Sequence, residues 1–403
     1  MTVDNKHILI LTADAGMGHR SAAEAIRYAI EQKSNDRCTT TIENPLDHPK
    51  VPDLFRRSQT DYDEIVKKLP ELYEFGFKAS NAALPTTFME AGFIIALYEA
   101  INDLIRKQEP DLIVTTYPVY QAPVHAVSVI KKLHVPLITV VTDLVSVHKV
   151  WFHTGATRCT VPTEIVKQKA IKAGLAPEKI ILTGIPIHPR IQDYKQVEKQ
   201  ALRKTLGWAQ DKINVLIVGS PRIENLLDTI KLIDNSGYDL HLAVVAGGNE
   251  ALFKSLQEVD WYHSVTLYNF VDFLPKLMRA ADLIVCKAGG LIVTESLASG
   301  LPLMLVHALP GQEIGNAAYV VENQAGKMCV TPAEILDTLS HWLRNDHILL
   351  DETAQNAANL IPFDAASTIA DLVWDILCEP TKLTKEKDSS SLQELLKRFN
   401  ISS

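Results

Sequence analysis

Short aliphatic and β-branched runs recur along the chain, separated by longer segments whose apolar positions fall three and four residues apart. In the first half the strand-like runs are His7–Leu11, Leu112–Thr116, Leu137–Thr142 and Lys179–Leu182, with helical patterns over His19–Glu31 and Gln121–Leu133. Short apolar strands alternating with helices predict a parallel sheet covered on both faces. The polar stretch Gln192–Gln210 shows no strand, and the pattern then restarts with Ile213–Val218, Leu240–Val245, Thr266–Tyr268, Leu283–Cys286 and Leu303–Val306. This places an N-terminal α/β domain over residues 1–190 and a C-terminal one over 205–362, with the boundary near Ile187–Lys204. The late helical pattern Phe363–Cys378 is expected to pack back on the first domain, and residues 379–403 read as a polar tail ending in a short amphipathic helix. The halves repeat an architecture, with no solenoid-type sequence repeat.

A length of 403 residues suits two domains with real cores, and 47% hydrophobic with 22% charged residues is a folded composition. The net charge of −8 argues against nucleic acid as the main partner. Five scattered cysteines without metal-ligand spacing fit a reducing compartment, and the N-terminus lacks the pattern of a secretory signal, so a cytoplasmic location is expected. Leu112–Ile130 carries no Asp, Glu, Lys or Arg, but Pro118, Pro123, Tyr117, Tyr120, Gln121 and His125 interrupt it. It reads as a buried strand, a loop and a helix start, so any membrane association is expected to be peripheral.

Candidate chemistry lies where strands end. Thr12–Ile26, "TADAGMGHRSAAEAI", follows the first strand with Gly16 and Gly18 and then His19. The glycines permit a tight turn and close approach of a ligand to free backbone N–H groups. The spacing fits neither the dinucleotide nor the phosphate-loop NTPase fingerprint. His19 stands where ligand crevices form in open α/β sheets and is a candidate general base, with helix capping or packing as the alternative. A second cluster, "DLVSVHKVWFH", supplies Asp143, His148 and Trp151 as a candidate crevice wall without the spacing of a zinc site. Trp151 reads equally as an acceptor contact or as core.

Cys286–Asn316, "CKAGGLIVTESLASGLPLMLVHALPGQEIGN", turns from a strand through Gly289 and Gly290 into a helix bearing Thr294 and Glu295. Backbone donors at such a turn suit a phosphate, and the carboxylate one turn inside suits ribose hydroxyls. Gln312 and Glu313 follow the next strand and are candidates for sugar or diphosphate contact. The bland alternative makes the glycines a cap and Glu295 a partner of the helix dipole.

The pieces "GMGHRSAAEAI", "TDLVSVHKVWFH", "TRCTVPTE", "GIPIHPR", "KAGGLIVTESLASGLPLML" and "GQEIGNAAYVVENQAG" cover most of residues 8–328. In that order they resemble the monogalactosyldiacylglycerol synthase and processive diacylglycerol glucosyltransferase family. A more distant resemblance is to the lipid-linked N-acetylglucosaminyltransferase of peptidoglycan synthesis. The resemblance implies an α/β GT-B fold, two Rossmann-like domains facing a central cleft. It implies inverting transfer of a hexose from UDP-glucose or UDP-galactose to the hydroxyl of diacylglycerol, with no obligatory cofactor or metal. It further implies that His19 is the base or its close partner, that Gly16 and Gly18 shape the loop near acceptor and diphosphate, and that Gly289 and Gly290 contact the nucleotide. Glu295 would read the ribose, Gln312 and Glu313 the sugar or diphosphate, and Phe270 and Val271 the base through their backbone. One departure stands out: where the family has a glycine-rich loop after Ile213–Val218, this chain has "GSPRIENL". Gly219 and Ser220 can still approach a phosphate and Arg222 can pair with it, while Pro221 removes one N–H. That loop leaves open another hydrophobic acceptor, a UDP-sugar epimerase or hydrolase, or a catalytically weak sugar-nucleotide-binding protein. Leu72–Ile105, with Tyr73, Phe75, Phe77, Phe88, Phe93 and Tyr98, is a candidate bilayer rim or, alternatively, core.

Overall fold

A computed structural model describes residues 5–14, 17–34, 37–57, 83–188, 190–194, 196–220, 223, 225–311, 313–361 and 364–378. The chain divides into two compact units, residues 1–189 with 364–403, and residues 190–363.

The first unit holds a six-stranded sheet of β1 (Lys6–Leu11), β2 (Cys38–Glu43), β3 (Leu112–Thr115), β4 (Leu137–Val140), β5 (Arg158–Val161) and β6 (Ile180–Leu182), in the order β2-β1-β3-β4-β5-β6. Every pairing in it is parallel. The central strands are apolar throughout because both faces are covered: Leu9, Leu11 and Ile113 pack beneath the helices Ala83–Gln108 and Gln121–Lys131. Ile8, Ile10, Leu112 and Val114 meet the helices Met17–Ser34 and Ala365–Cys378 on the other side. Ile369, Ala370 and Val373 give that last helix its buried face.

The second unit repeats the plan with β7 (Ile213–Val218), β8 (Leu240–Val245), β9 (Ser264–Tyr268), β10 (Leu283–Lys287), β11 (Leu303–His307) and β12 (Gly326–Met328), in the order β12-β11-β10-β7-β8-β9. These pairings are parallel as well. In each sheet the chain starts in the middle, winds to one edge, and returns to wind to the other. The reversal lies between β1 and β3 in the first unit and between β7 and β10 in the second. Adjacent strands that send their connections in opposite directions leave a crevice outside their carboxyl ends, so topology alone selects two places for ligands.

Three strands lacked a sequence signal. β2 is "CTTTIE", a threonine-rich edge strand whose exposed positions blur the apolar run. β5 and β12 span four and three residues, too short for a period to register. Two expected strands run long in the sequence: the ladders stop at Thr115 and Val140, which frees Thr116 and Thr142 from the sheet.

Candidate active site

In the first unit the loops after β1, β3 and β4 converge on His19. Its Nδ1 lies 2.9 Å from the carbonyl oxygen of Thr116 and 2.8 Å from Thr142 Oγ1. Thr116 also acts in the reverse direction, its hydroxyl reaching the carbonyl oxygen of His19 at 3.0 Å and Thr12 Oγ1 at 2.9 Å. A carbonyl only accepts, so Nδ1 carries the ring proton and Nε2 keeps its lone pair. The Tyr117 ring sits edge-on to the imidazole at 4.9 Å and Trp151 lies 6.2 Å away. Burial pulls the His19 pKa below its usual value; the negative charge of Asp143 and the Thr116 carbonyl pull the other way and lose. The imidazole is therefore neutral at pH 7, as a base must be.

The other residues of the "DLVSVHKVWFH" cluster support this arrangement from within. Trp151 is 1% exposed and its Nε1 donates to Asp143 Oδ2 at 2.7 Å, so the indole is core and a clamp on the carboxylate, with no face for an acceptor. His148 is also buried, and its Nδ1 accepts from the N–H of Val150 at 3.2 Å, capping the turn Lys149–Trp151. The contact role expected of these two side chains gives way to a supporting one. Gly18 lies in the first turn of the Met17–Ser34 helix, and Gly16 falls outside the described residues. Arg20, beside His19, is held by Asp14 through Nε at 2.9 Å and Nη2 at 3.0 Å. Asn44 Nδ2 also reaches Asp14, and Tyr120 Oη donates to Asn44 Oδ1 at 2.9 Å.

In the second unit the β10 end is built around a close approach. The β10–β11 register slips between Cys286 and Lys287, and Lys287 Nζ meets Glu313 Oε1 in an ion pair. Glu313 is 5% exposed, and its Oε2 accepts from the N–H of Leu309 at 3.0 Å. A Cβ on Gly289 would lie 2.8 Å from Lys287 Nζ, so only glycine leaves room for the lysine. Gly290 opens the nine-residue helix Gly290–Ala298. Thr294 is fully buried and donates to the Gly290 carbonyl at 2.7 Å, which makes it a brace of that first turn. Asn316 Nδ2 donates to the carbonyl of Ala288 at 3.0 Å, while its Oδ1 is buried without a partner among the described residues.

Glu295 is partly buried, and among the described residues no hydrogen bond or ion pair engages its carboxyl group. Burial pushes its pKa up to about 7. Across the switch point, the loop after β7 packs on the loop after β8. The Gly219 N–H donates to the Val245 carbonyl at 2.7 Å, and a Cβ on Gly219 would lie 2.9 Å from the Ala246 carbonyl oxygen. Gly247, at φ +68, would place a Cβ 2.5 Å from the Gly219 carbonyl oxygen. Ser220 follows in the same turn, whereas Pro221, Arg222 and Gln312 fall outside the described residues. Beyond β9, Phe270 is an exposed aromatic, with Val271 next to it. Among the described residues no group of three or more His, Cys, Asp and Glu could hold a metal ion.

Sequence reasoning missed Lys287, the Gly247–Gly248 turn, Thr116 and Thr142. The first two carried a signal, a lysine and a glycine pair directly after apolar runs. The threonines carried none, because threonine is an ordinary strand residue.

Comparison with known proteins agrees with this geometry. Residues 19–187 match the family model for monogalactosyldiacylglycerol (MGDG) synthase, and residues 214–371 match that for the glycosyltransferase family 28 C-terminal domain. A probable chloroplastic monogalactosyldiacylglycerol synthase of Glycine max is 33% identical over 380 residues, covering 90% of this chain and 70% of that protein. The chloroplastic enzyme of Spinacia oleracea is 32% identical over 375 residues, covering 87% and 69%. Among solved structures, Acinetobacter baumannii MurG superposes with a TM-score of 0.59 at 19% identity, covering 92% of this chain and 99% of that one. A Neisseria meningitidis UDP-GlcNAc 2-epimerase bound to UDP-GlcNAc gives 0.57 at 16%, covering 92% and 100%. At those identities the structural likeness speaks for the fold, two Rossmann-like units of GT-B type, and not for the reaction.

Proposed function

This chain belongs to the monogalactosyldiacylglycerol synthase family, and on that premise we infer that it is an inverting glycosyltransferase moving a hexose from a UDP-sugar to the hydroxyl of diacylglycerol. The observation that carries the reading is His19: a neutral imidazole at the β1/β3 switch point, held by Nδ1 so that Nε2 is the basic atom. The donor is UDP-glucose or UDP-galactose, with no obligatory cofactor.

The acceptor oxygen attacks the anomeric carbon from the face opposite the departing UDP, which inverts the configuration. Its proton passes to His19 Nε2 as the new C–O bond forms, since an alcohol is too weak a nucleophile to attack unaided. We assign the charge that develops on the leaving diphosphate to Lys287 and to the N–H groups that open the Gly290–Ala298 helix. Glu313 holds the lysine in place with one oxygen while Leu309 fixes the other. Gly289 and Gly219 admit the phosphates to the backbone because neither carries a side chain. The Glu295 carboxyl accepts hydrogen bonds from ribose hydroxyls, which supply the donors it lacks. Phe270 and Val271 meet the uracil.

We also propose peripheral membrane contact through the first unit. Leu54 (79% exposed), Phe88 (78%) and Ile95 (49%) are large apolar side chains in water, and Phe88 and Ile95, seven residues apart, share one face of their helix. That helix connects parallel strands, so its first half lies at the carboxyl end of the sheet, the end that carries His19. Phe93 packs inward toward Phe55 and Tyr98 is core, while Tyr73, Phe75 and Phe77 lie outside the described residues. No helix among the described residues is long and apolar enough to cross a membrane.

The direct test incubates the protein with diacylglycerol vesicles and, separately, UDP-glucose and UDP-galactose, and reads lipid products and released UDP by mass spectrometry. A glycosylated diacylglycerol is expected. His19→Ala should lower turnover about 10²- to 10⁴-fold while retaining UDP affinity. Lys287→Met should weaken UDP binding while leaving uridine binding unchanged. UDP release without glycolipid would overturn the transfer reading in favour of a hydrolase or epimerase.

A further inference from the structure

The atoms around His19 do more than place it. We propose that Thr142 is a positioning residue of the reaction: with the main-chain carbonyl of Thr116, its hydroxyl locks the imidazole in the Nδ1–H form and at one ring angle, so that Nε2 alone presents a lone pair to the acceptor. The proposal rests on His19 being the base.

Two acceptors converge on one ring nitrogen. The Thr116 carbonyl at 2.9 Å and Thr142 Oγ1 at 2.8 Å share the Nδ1 hydrogen in a three-centre bond. The tautomer with hydrogen on Nε2 would point the Nδ1 lone pair at the carbonyl oxygen, which is repulsive and leaves both acceptors unserved. Ring rotation is closed off as well. Thr116 grips the main chain of the same residue, its hydroxyl donating to the His19 carbonyl and sharing Thr12 Oγ1, so ring and backbone are fixed from one side. The Thr142 hydroxyl adds the second point, from the end of the neighbouring strand, and two points define the plane of a ring where one does not. Tyr117 packs edge-on at 4.9 Å and Trp151 closes the back at 6.2 Å. The charged group acting on the ring is Asp143, the next residue after Thr142, and the Trp151 indole holds its carboxylate. Thr12, Thr116 and Thr142 are all buried, so these hydroxyls stay bonded to the protein and not to water.

The proton balance needs the same arrangement. The acceptor proton moves to Nε2 and yields an imidazolium whose Nδ1–H still has two oxygens to donate to. When Nε2 gives that proton to solvent, the ring returns to its starting tautomer without turning over. A base free to rotate would spend part of its time with Nε2 away from the acceptor, and effective catalysis depends on that alignment.

The experiment compares Thr142→Val, which keeps the shape and removes the hydroxyl, with Thr142→Ser, which restores it. Thr142→Val should lower kcat about tenfold, leave the KM for the UDP-sugar within about twofold and keep UDP affinity, while Thr142→Ser should recover most of the loss. A long-range ¹H–¹⁵N spectrum of wild type labelled at histidine should show His19 with hydrogen on Nδ1 and a bare Nε2. In Thr142→Val the His19 signals should spread between tautomers. An unchanged kcat in Thr142→Val, a serine variant as slow as the valine one, or hydrogen on Nε2 in wild type would each overturn the proposal. If Thr142→Val does not fold, as a melting curve would reveal, the serine variant and the wild-type spectrum decide. Full turnover in His19→Ala would sink the base assignment itself, a result separate from any Thr142 outcome.

Discussion

Glu295 carries a carboxyl that the fold has buried without giving it a partner, and this has a measurable consequence. Its pKa rises from 4.5 to about 7 because burial penalises the charged form. Between those values the folded state holds more protons than the unfolded one, so this group's contribution to stability is present below about pH 4.5 and is lost as pH rises through 7. Glu295→Gln removes the titration. The variant is therefore expected to gain in melting temperature relative to wild type from pH 5 to pH 8, while binding UDP less tightly. Scanning calorimetry at the two pH values checks the first, and calorimetric titration with UDP the second. A melting difference independent of pH would rule out the buried-acid reading. A residue that costs stability where the enzyme works is a common mark of a functional position. Sequence reasoning singled out Glu295 because a carboxylate one turn into a glycine-led helix is a local pattern. It passed over Lys287, whose importance comes from Glu313, 26 positions away.

At the scale of elements, the strand ends set the site, and glycine decides how closely they approach. The loops after β7 and β8 touch backbone to backbone, with Gly247 at φ +68 facing the Gly219 carbonyl. Gly247→Ala places a methyl 2.5 Å from that oxygen in a left-handed backbone conformation, two faults at one position. The strained backbone costs about 1–2 kcal/mol and the crowding about 1–3 kcal/mol more. The expected result is a lower urea midpoint with weaker UDP binding, because the Gly219 turn must shift to admit the methyl. Gly248→Ala is the control: it shares the positive φ, but its Cβ would meet nothing within 4 Å, so it should show the backbone cost alone. Equal loss in both variants would mean that loop contact plays no part. The twin glycine turn was readable in the sequence as "VVAGGNE"; its partnership with Gly219 was not, since β7 and β8 become neighbours only in the sheet.

For the whole molecule, the question is how a protein with no membrane-crossing helix among its described residues meets a lipid acceptor. The Leu54, Phe88 and Ile95 side chains are the proposed answer. Replacing all three by serine should reduce co-sedimentation with diacylglycerol vesicles, and with it glycolipid synthesis on them. UDP affinity and melting temperature should stay unchanged, because exposed side chains contribute little to the fold. Unchanged vesicle binding would refute this face as the contact. The sequence by itself determined the fold class, because apolar runs alternating with helical periods admit few arrangements other than covered parallel sheets. It also marked the turns where chemistry gathers, because glycine, histidine and carboxylate beside a strand end form a local signal. Tertiary structure alone decided what those residues do. It withdrew Trp151 and His148 into the core, engaged both oxygens of Glu313, left Glu295 without a partner, and set Thr116 and Thr142 against His19 from 97 and 123 positions away. The reason is that burial and hydrogen-bond partnership belong to pairs of atoms brought together by the sheet, and strand order is not written in the run of residues along either strand.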